Sequence, residues 1–306
     1  MKLRIATRRS DLALVQARRV AGAIRKALGV EVDLVPLQTT GDRLKEARLA
    51  DVGGKGLFVK EIEEALLDGR ADVAVHSAKD LPAELAPGLR LAAFPERADP
   101  RDALVAAAPG VRLLDLPRGA RVGTGSVRRT AQLLAARPDL EIVPLRGNVL
   151  TRLRKLDEND LHAIVLACAG LDRLGLADRI AERIAPELLL PAPTQGILAV
   201  ETREEGSLAD DLRALDDDAA RVAAEAERSF LAVVEGDCKV PVAALAEVDP
   251  GEGVRIRGLV AALDGSVLAR GAARGADAAA AGDAAARQAL AAGGEEILRR
   301  LREAAG

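Results

Sequence analysis

Short apolar strands alternate with amphipathic helices in two successive series along the first two thirds of the chain. Residues 3–7 predict a strand, and Ser10 or Asp11 then caps a helix that reaches Leu28. A second series begins with a strand ending at Gly123, followed by a helix over 127–136 and a strand over 141–145. This alternation is typical of α/β folds, which bind ligands beyond the carboxyl ends of their strands.

The two series share one local pattern. Segments 5–10 and 122–129 each run from a strand through a small hydroxylated turn and arginines into a helix. Helix N-termini carry unpaired N–H groups and the positive end of the helix dipole, so such a turn holds anions. Two domains of this kind facing one another predict an anion-binding cleft.

A chain of 306 residues is too long for one ordinary core. We predict domain 1 over residues 1–97 and 196–215, because the strand over 197–202 crosses back into the first series. Domain 2 is predicted over 98–195, and domain 3, a smaller α+β unit, over 216–306. The long polar segment 38–56 predicts a lid or binding loop.

Composition argues against several classes of partner. The chain has no Trp or Tyr and three Phe, which disfavours the stacking of single-stranded nucleic acid. Its net charge of −3 gives no general reason to expect nucleic acid or anionic membrane. We found no signal peptide and no apolar run long enough for a membrane span, and we expect a cytoplasmic monomer.

The two cysteines have different surroundings. Cys168 ends an apolar run and is predicted to be a buried, inert thiol. Cys238 lies in a turn-like polar segment beside Lys239, which is the setting of a reactive thiol. Two unpaired cysteines suit a reducing compartment.

Other chemistry-bearing residues lie at the ends of predicted strands. Lys79 and Asp80 follow the strand over 71–75, and Arg128 and Arg146 stand beside small residues where bidentate recognition of carboxylate or phosphate is favoured. His76 is one of two histidines and is predicted to be packed and hydrogen-bonded, so no metal site is expected. The glycines around Lys55 lack the spacing of a phosphate loop.

These residues alone leave three classes of protein open. The first is an enzyme with a reactive cysteine and an arginine-rich cleft for a multiply anionic ligand. The second is a two-lobed solute-binding or sensor protein without catalysis, which explains the arginines equally well but not Cys238. The third is a nucleic-acid-binding protein, which rests on the local charge of +7 over residues 118–155 and is the least favoured.

A set of motifs in one order resembles the porphobilinogen deaminase (hydroxymethylbilane synthase) family. The motifs are IATRRS at 5–10, VGGKGLF at 52–58, HSAKD at 76–80, RR at 128–129, LRGN at 145–148, AGL at 169–171, QG at 195–196 and GDCKVP at 236–241. Each is modest by itself, but their joint order over most of the chain is specific.

The resemblance implies two periplasmic-binding-protein-like α/β domains, a small α+β domain and a dipyrromethane cofactor bound to Cys238 through a thioether. It implies a transferase that joins four porphobilinogen molecules head to tail with loss of ammonia and then releases hydroxymethylbilane by hydrolysis. Asp80 is the implied catalytic residue, which stabilises the cationic azafulvene at the pyrrole N–H groups and is also placed for proton transfer. The implied binding residues are Arg8, Ser10, Lys55, Ser77, Lys79, Thr124, Ser126, Arg128, Arg129, Arg146, Arg152, Arg173 and Gln195.

The chain departs from the family pattern at two positions. Gly125 stands where the family commonly has a serine, so one hydroxyl is missing and backbone N–H groups are expected to contact a carboxylate there. Thr194 replaces a glycine that often precedes Gln195-Gly196, which weakens the prediction of a hinge at this point.

Overall fold

A computed structural model describes residues 2–40, 59–108, 110–158, 160–234, 240–249 and 251–305. These residues form two compact units. Unit 1 comprises Met1–Ala98 and Gly196–Arg221, and unit 2 comprises Asp99–Gln195 and Val222–Gly306. The three-domain division expected from the sequence stays a prediction.

The described strands, in chain order, are β1 (Lys2–Arg8), β2 (Glu31–Leu37), β3 (Val73–Ser77), β4 (Leu89–Ala93), β5 (Asp102–Ala106), β6 (Arg121–Thr124), β7 (Glu141–Pro144), β8 (Ala163–Ala167), β9 (Glu182–Arg183), β10 (Leu198–Arg203), β11 (Val242–Asp249), β12 (Gly253–Ala261) and β13 (Leu268–Gly275). The α-helices are α1 (Asp11–Leu28), α2 (Lys60–Leu67), α3 (Val127–Ala136), α4 (Val149–Glu158), α5 (Cys168–Arg173), α6 (Leu208–Leu212), α7 (Asp218–Val233), α8 (Ala278–Ala289) and α9 (Glu295–Ala305).

Unit 1 is built on a five-stranded sheet with the order β2-β1-β3-β10-β4. The first three strands run parallel, and β10 pairs antiparallel with β3 and β4. Successive side chains of a strand point to opposite faces, so Leu3 and Ile5 pack with α1 while Ala6 packs with α2. Helices on both faces leave the carboxyl ends of β1 and β3 as the place for a site.

Unit 2 repeats this strand arrangement in a second sheet, with the order β7-β6-β8-β5-β9. Strands β6, β7 and β8 are parallel, and β5 is antiparallel to β8 and β9. In each sheet the three parallel strands, numbered by their order in the chain, stand side by side in the order second, first, third. The next strand in the sheet is antiparallel to them. That strand is β10 in unit 1 and β5 in unit 2, and each begins just after the chain enters its unit.

The C-terminal part of unit 2 is an antiparallel three-stranded sheet, β11-β12-β13, covered by helices. Its packing depends on glycines: a Cβ at Gly258 would lie 2.2 Å from the ring of Phe230, and one at Gly271 would lie 2.0 Å from the carbonyl oxygen of Ala285. An apolar cluster that includes Ala131 and Leu190 joins this sheet to the α3 side of unit 2.

The predicted fold class, two periplasmic-binding-protein-like α/β sheets plus a smaller α+β part, is confirmed. The helix over 127–136 and the return strand near 197–202 lie where we expected them, the latter as β10 paired with β3 and β4. Strand β5 was not predicted. Among the described residues, no helix has the length and apolar character needed to cross a bilayer.

Candidate active site

The ends of β1 and β3 bring four of the predicted site residues to one pocket in unit 1. Arg8 is the last residue of β1, and Ser10 caps α1 by accepting the Ala13 N–H at 3.4 Å. Ser77 ends β3, and Asp80 ends the 3₁₀ turn that follows it. Arg8, Ser10, Ser77 and Asp80 line one open pocket.

Arg8 and Asp80 form a loose ion pair in this pocket. The distance from Arg8 Nη1 to Asp80 Oδ2 is 4.0 Å, and the side chains are 24% and 39% exposed. A pair this long and this exposed contributes little to stability. Arg8 and Asp80 thus place one positive and one negative charge at the lining of this pocket.

Two further polar side chains line the pocket, Gln16 from α1 and His76 from β3. Gln16, in α1, donates a hydrogen bond from Nε2 to Ser77 Oγ at 3.0 Å. Gln16 was not predicted as a site residue, although it interrupts the buried stripe that Val20 and Ile24 continue. His76 lines the pocket and bonds through Nε2 to Glu201 Oε2 at 2.9 Å, so the prediction of a packed, hydrogen-bonded histidine is confirmed.

In unit 2, the β6–α3 turn places Thr124 and Ser126 at the start of a helix. Thr124 Oγ1 accepts the Ser126 N–H at 3.2 Å, and Ser126 Oγ caps α3 by accepting the Arg129 N–H at 3.5 Å. Gly125 between them is exposed, and a Cβ on it would lie 2.6 Å from the carbonyl oxygen of Leu145. A serine at this position would therefore force the backbone of the turn to shift.

Arg128 and Arg129 are held inside unit 2 by a residue that sequence reasoning missed. Asp102, at the start of β5, accepts from Arg128 Nη1 at 2.7 Å and from Arg129 Nη2 at 2.7 Å. The remaining contacts of the two guanidinium groups include the carbonyl oxygens of Leu190 and Val165. Both arginine side chains are 6% exposed and Asp102 is fully buried, so this is a rigid network.

The electrostatics of this network depend on its imbalance of charge. Burial by itself would raise the pKa of Asp102, but the charges and hydrogen bonds of Arg128 and Arg129 outweigh it and hold that pKa well below its usual range. Two cations then face one buried carboxylate, which leaves an excess positive charge. Such an excess favours an anionic ligand.

Gln195 and Thr194 lie in the segment that leads out of unit 2. Gln195 Nε2 donates to the carbonyl oxygen of Pro100 at 2.7 Å and to Asp102 Oδ1 at 3.0 Å. Thr194 has a φ of 59°, which is uncommon for a β-branched residue, and its N–H donates to the buried carboxylate of Glu227. Glu227 also accepts the Ala246 N–H at 2.7 Å, so it fixes this segment to β11.

The other predicted site residues are placed as follows. Arg152 Nε donates to the carbonyl oxygen of Gly147 at 2.8 Å, which ties α4 to the turn after Arg146. Arg146, Arg173 and Lys79 are half-buried. Lys55, Cys238 and Lys239 lie outside the described residues. So do residues 41–56 of the predicted lid or binding loop over 38–56. The binding roles of all these side chains stay predictions.

The prediction that Cys168 is a buried thiol is confirmed. Burial, followed by the nearby charge of Asp99, raises the pKa of the Cys168 thiol to about 12, which keeps it protonated and inert as predicted. Within the part of the chain that the structure describes, no group of three or more His, Cys, Asp or Glu side chains is arranged to hold a metal ion.

Solved structures with a similar arrangement include solute-binding proteins. The methionine-binding protein MetQ matches with a TM-score of 0.42 and 14% sequence identity, over 74% of this chain and 94% of that one. A periplasmic substrate-binding protein of an ABC transporter from Coxiella burnetii matches with a TM-score of 0.44 and 16% identity, over 74% of this chain and 96% of that one.

Sequence comparison gives much closer relatives. Proteins named porphobilinogen deaminase from Roseiflexus sp. (strain RS-1) and Syntrophomonas wolfei are 52% and 47% identical, over 96% and 97% of this chain and 97% of each relative. The family model described as "Porphobilinogen deaminase, dipyromethane cofactor binding domain" matches residues 3–211, and the one described as "Porphobilinogen deaminase, C-terminal domain" matches residues 222–291. The chain belongs to the porphobilinogen deaminase family.

Proposed function

We propose that this chain is a hydroxymethylbilane synthase. It joins four porphobilinogen molecules head to tail with loss of ammonia and then releases the linear tetrapyrrole by hydrolysis. The observation that carries the proposal is the Arg8–Asp80 pair at the strand ends of unit 1. Arg8 lies in the IATRRS segment and Asp80 in the HSAKD segment of a chain that belongs to the deaminase family.

Asp80 is the residue that meets the reacting part of the substrate. Loss of ammonia from porphobilinogen leaves a cationic azafulvene, whose charge is shared with the pyrrole nitrogen. A preorganised carboxylate at the pyrrole N–H stabilises that charge as it develops. The 39% exposure of Asp80 and its long distance to Arg8 leave the carboxylate able to take this role.

The arginines are assigned to the carboxylates of the substrate. Each porphobilinogen carries an acetate and a propionate, so a growing chain brings many carboxylates to the protein. A charge-assisted hydrogen bond to such a group contributes about 1.5–3 kcal/mol. Arg8 presents a partly exposed guanidinium group at the pocket, and the Arg128–Arg129–Asp102 network carries an excess positive charge.

The same chemistry fits a dipyrromethane cofactor, because that group also carries acetates and propionates. When bound, the dipyrromethane supplies the pyrrole carbon to which the first substrate is joined. We assign its thioether attachment to Cys238, on the family motif at 236–241. Cys168 is unsuited to this role because it is fully buried and the pKa of its thiol is raised to about 12.

The proposal includes a cytoplasmic location, a monomeric state and no nucleic-acid or membrane partner. A chain with two cysteines, one of them a buried thiol, is consistent with a reducing compartment. Gel filtration with light scattering tests the oligomeric state.

The direct test is to incubate the purified protein with porphobilinogen and to measure ammonia and product together. We expect four ammonia molecules for each hydroxymethylbilane released. Binding of porphobilinogen without release of ammonia would contradict the proposal and would favour the solute-binding alternative.

A further inference from the structure

We propose that His76, supported by Glu201, is the base that removes the ring proton from the attacking pyrrole after each new bond has formed. This inference rests on the proposed function and assigns one step of it to residues other than Asp80. It gives a chemical role to a buried pair that the binding of carboxylates does not require.

The first observation is the place of His76 in the pocket. His76 precedes Ser77 in β3 and lines the same pocket as Arg8 and Asp80, although its side chain is only 4% exposed. Its Nε2 lies 2.9 Å from Glu201 Oε2. Among the described residues, Glu201 is the hydrogen-bond partner of this imidazole.

The second observation is how the sheet holds this pair. Ala199 in β10 lies directly opposite His76 in β3, and Glu201 is two residues further along β10. Residues two apart on a strand share a face, so the carboxylate reaches the imidazole diagonally across the pair of strands. The orientation of the ring is thus fixed by backbone pairing in the centre of the sheet.

The third observation is the excess of buried negative charge around the imidazole. Glu201 is fully buried, and its Oε1 has no hydrogen-bond partner among the described residues. Glu63 faces the pair from α2, and burial followed by the charge of Glu201 raises the pKa of Glu63. Asp80 and Arg8 are the charged groups on the pocket side. A buried carboxylate beside an imidazole stabilises the imidazolium that forms when the ring accepts a proton.

The chemistry balances without a redox partner. After ammonia has left, the methylene carbon of the incoming substrate bonds to the free α-carbon of the attacking pyrrole, which then carries both the new C–C bond and its hydrogen. That hydrogen leaves as a proton, and the electrons of the C–H bond restore the aromatic ring. With Nε2–H donated to Glu201, the lone pair on His76 Nδ1 accepts the proton and later passes it to solvent.

This assignment divides the work between two residues of one pocket. Asp80 stabilises the cation before the new bond forms, and His76 removes a proton afterwards. A carboxylate that performed both steps would have to be close to the pyrrole N–H and to the ring carbon in turn. The pair therefore predicts different kinetic signatures for substitutions at the two positions.

The test uses the cofactor-loaded enzyme and porphobilinogen carrying deuterium at its unsubstituted ring carbon. In His76→Asn we expect turnover to fall roughly 10²-fold or more, as for loss of a general base. We also expect KM to change little and the deuterium isotope effect on kcat to rise above the wild-type value, because proton removal becomes rate-limiting. Asp80→Asn should lower turnover without raising the isotope effect.

Two further variants keep the test decisive. His162 is the other histidine of the chain and is exposed, and its Nδ1 accepts the Arg121 N–H at 3.1 Å. His162→Asn is therefore the control and should retain wild-type kinetics.

Glu201→Gln keeps an acceptor for the imidazole but removes the negative charge. We expect a smaller fall in turnover with a raised isotope effect. If His76→Asn does not fold, the isotope effect of Glu201→Gln tests the proposal in its place: a raised value supports the His76 base and an unchanged value contradicts it.

The inference would be overturned by turnover of His76→Asn within a few-fold of wild type, or by a large loss with an unchanged isotope effect. Its failure differs from failure of the proposed function. If the wild-type protein releases no ammonia from porphobilinogen, the proposed function itself is wrong. If wild type is active and only the His76 prediction fails, the function stands and the base is another group.

Discussion

At the scale of single residues, the chemistry depends on a contrast between an accessible carboxylate and a buried one. Asp80 is 39% exposed beside a distant Arg8, whereas Asp102 is fully buried against Arg128 and Arg129. We assign the first to the substrate cation, and the second orients the guanidinium groups of Arg128 and Arg129. Substitution of each by asparagine should therefore affect different properties.

Asp80→Asn should fold and carry the cofactor but lose activity by on the order of 10²–10³-fold, because it removes one preorganised charge at the developing cation. Steady-state release of ammonia measures the loss, and intact mass measures the cofactor. Glu84→Gln, at an exposed carboxylate four residues further on, is the matched control and should be fully active. Near-normal turnover of Asp80→Asn would remove Asp80 from the cation-stabilising role.

Asp102→Asn should destabilise unit 2 by about 3–5 kcal/mol, because it leaves two buried guanidinium groups without their counter-charge. Asp283→Asn breaks an exposed pair with Arg287 in α8 and should cost less than about 1 kcal/mol. Urea unfolding followed by circular dichroism measures both. Equal stability of the two variants would contradict the buried network.

The stability effect of Asp102→Asn should depend on pH. The pKa of Asp102 is lowered in the folded protein, so its stabilising effect is complete above the unfolded-state pKa of about 3.9 and is lost as the pH falls towards the folded-state value. The stability difference between wild type and Asp102→Asn should therefore be constant at neutral pH and should shrink below about pH 4. A difference that grows on acidification would have the wrong sign.

Much of the pocket could be predicted from residue types at strand ends, and the buried partners could not. Arg8, Ser10, Ser77 and Asp80 meet at one pocket because parallel strands end at the same edge of a sheet. Asp102 gave no signal, since a charged residue before an apolar run is the ordinary start of a strand. Glu201 lies within an apolar strand, which was a signal of a buried carboxylate that we did not use.

At the scale of elements, local caps and apolar runs predicted helices α1 and α3 and the strands β1 and β6 that precede them. Ser10 and Ser126 cap α1 and α3 as their side chains predict. Strand β5 was missed because it has five residues and follows directly on a segment that contains Pro95 and Pro100. Its identity depends on pairing with β8, a partner about 60 residues away that no local pattern indicates.

Packing of the C-terminal elements predicts a sharp difference between two glycine substitutions. Gly271→Ala places a Cβ 2.0 Å from the Ala285 carbonyl oxygen, so α8 must move away from β13, at a cost of about 1–3 kcal/mol. Gly22, within α1, has nothing within 4 Å of its Cβ position, and Gly22→Ala should stabilise by about 0.5–1 kcal/mol. Thermal unfolding monitored by circular dichroism measures both changes, and the same sign for both would contradict this packing.

At the scale of the whole molecule, the two α/β sheets share one strand order, and in each the antiparallel strand begins just after the chain has crossed from the other unit. The return of β10 was predictable because an apolar strand follows the proline-rich segment before Gln195. The packing of the C-terminal sheet against the second sheet within unit 2 could not be predicted. It depends on apolar contacts between Leu190 and strands β11 and β12, which are distant from it in sequence.

The central claim is that the chain works on a pyrrole cofactor bound covalently to Cys238, and intact-mass measurement of the purified protein tests it most directly. We predict a mass excess matching two linked pyrroles in wild type and in Cys168→Ser, whose thiol is buried, and no excess in Cys238→Ala. Fully active wild-type protein with an unmodified Cys238 peptide would contradict the claim.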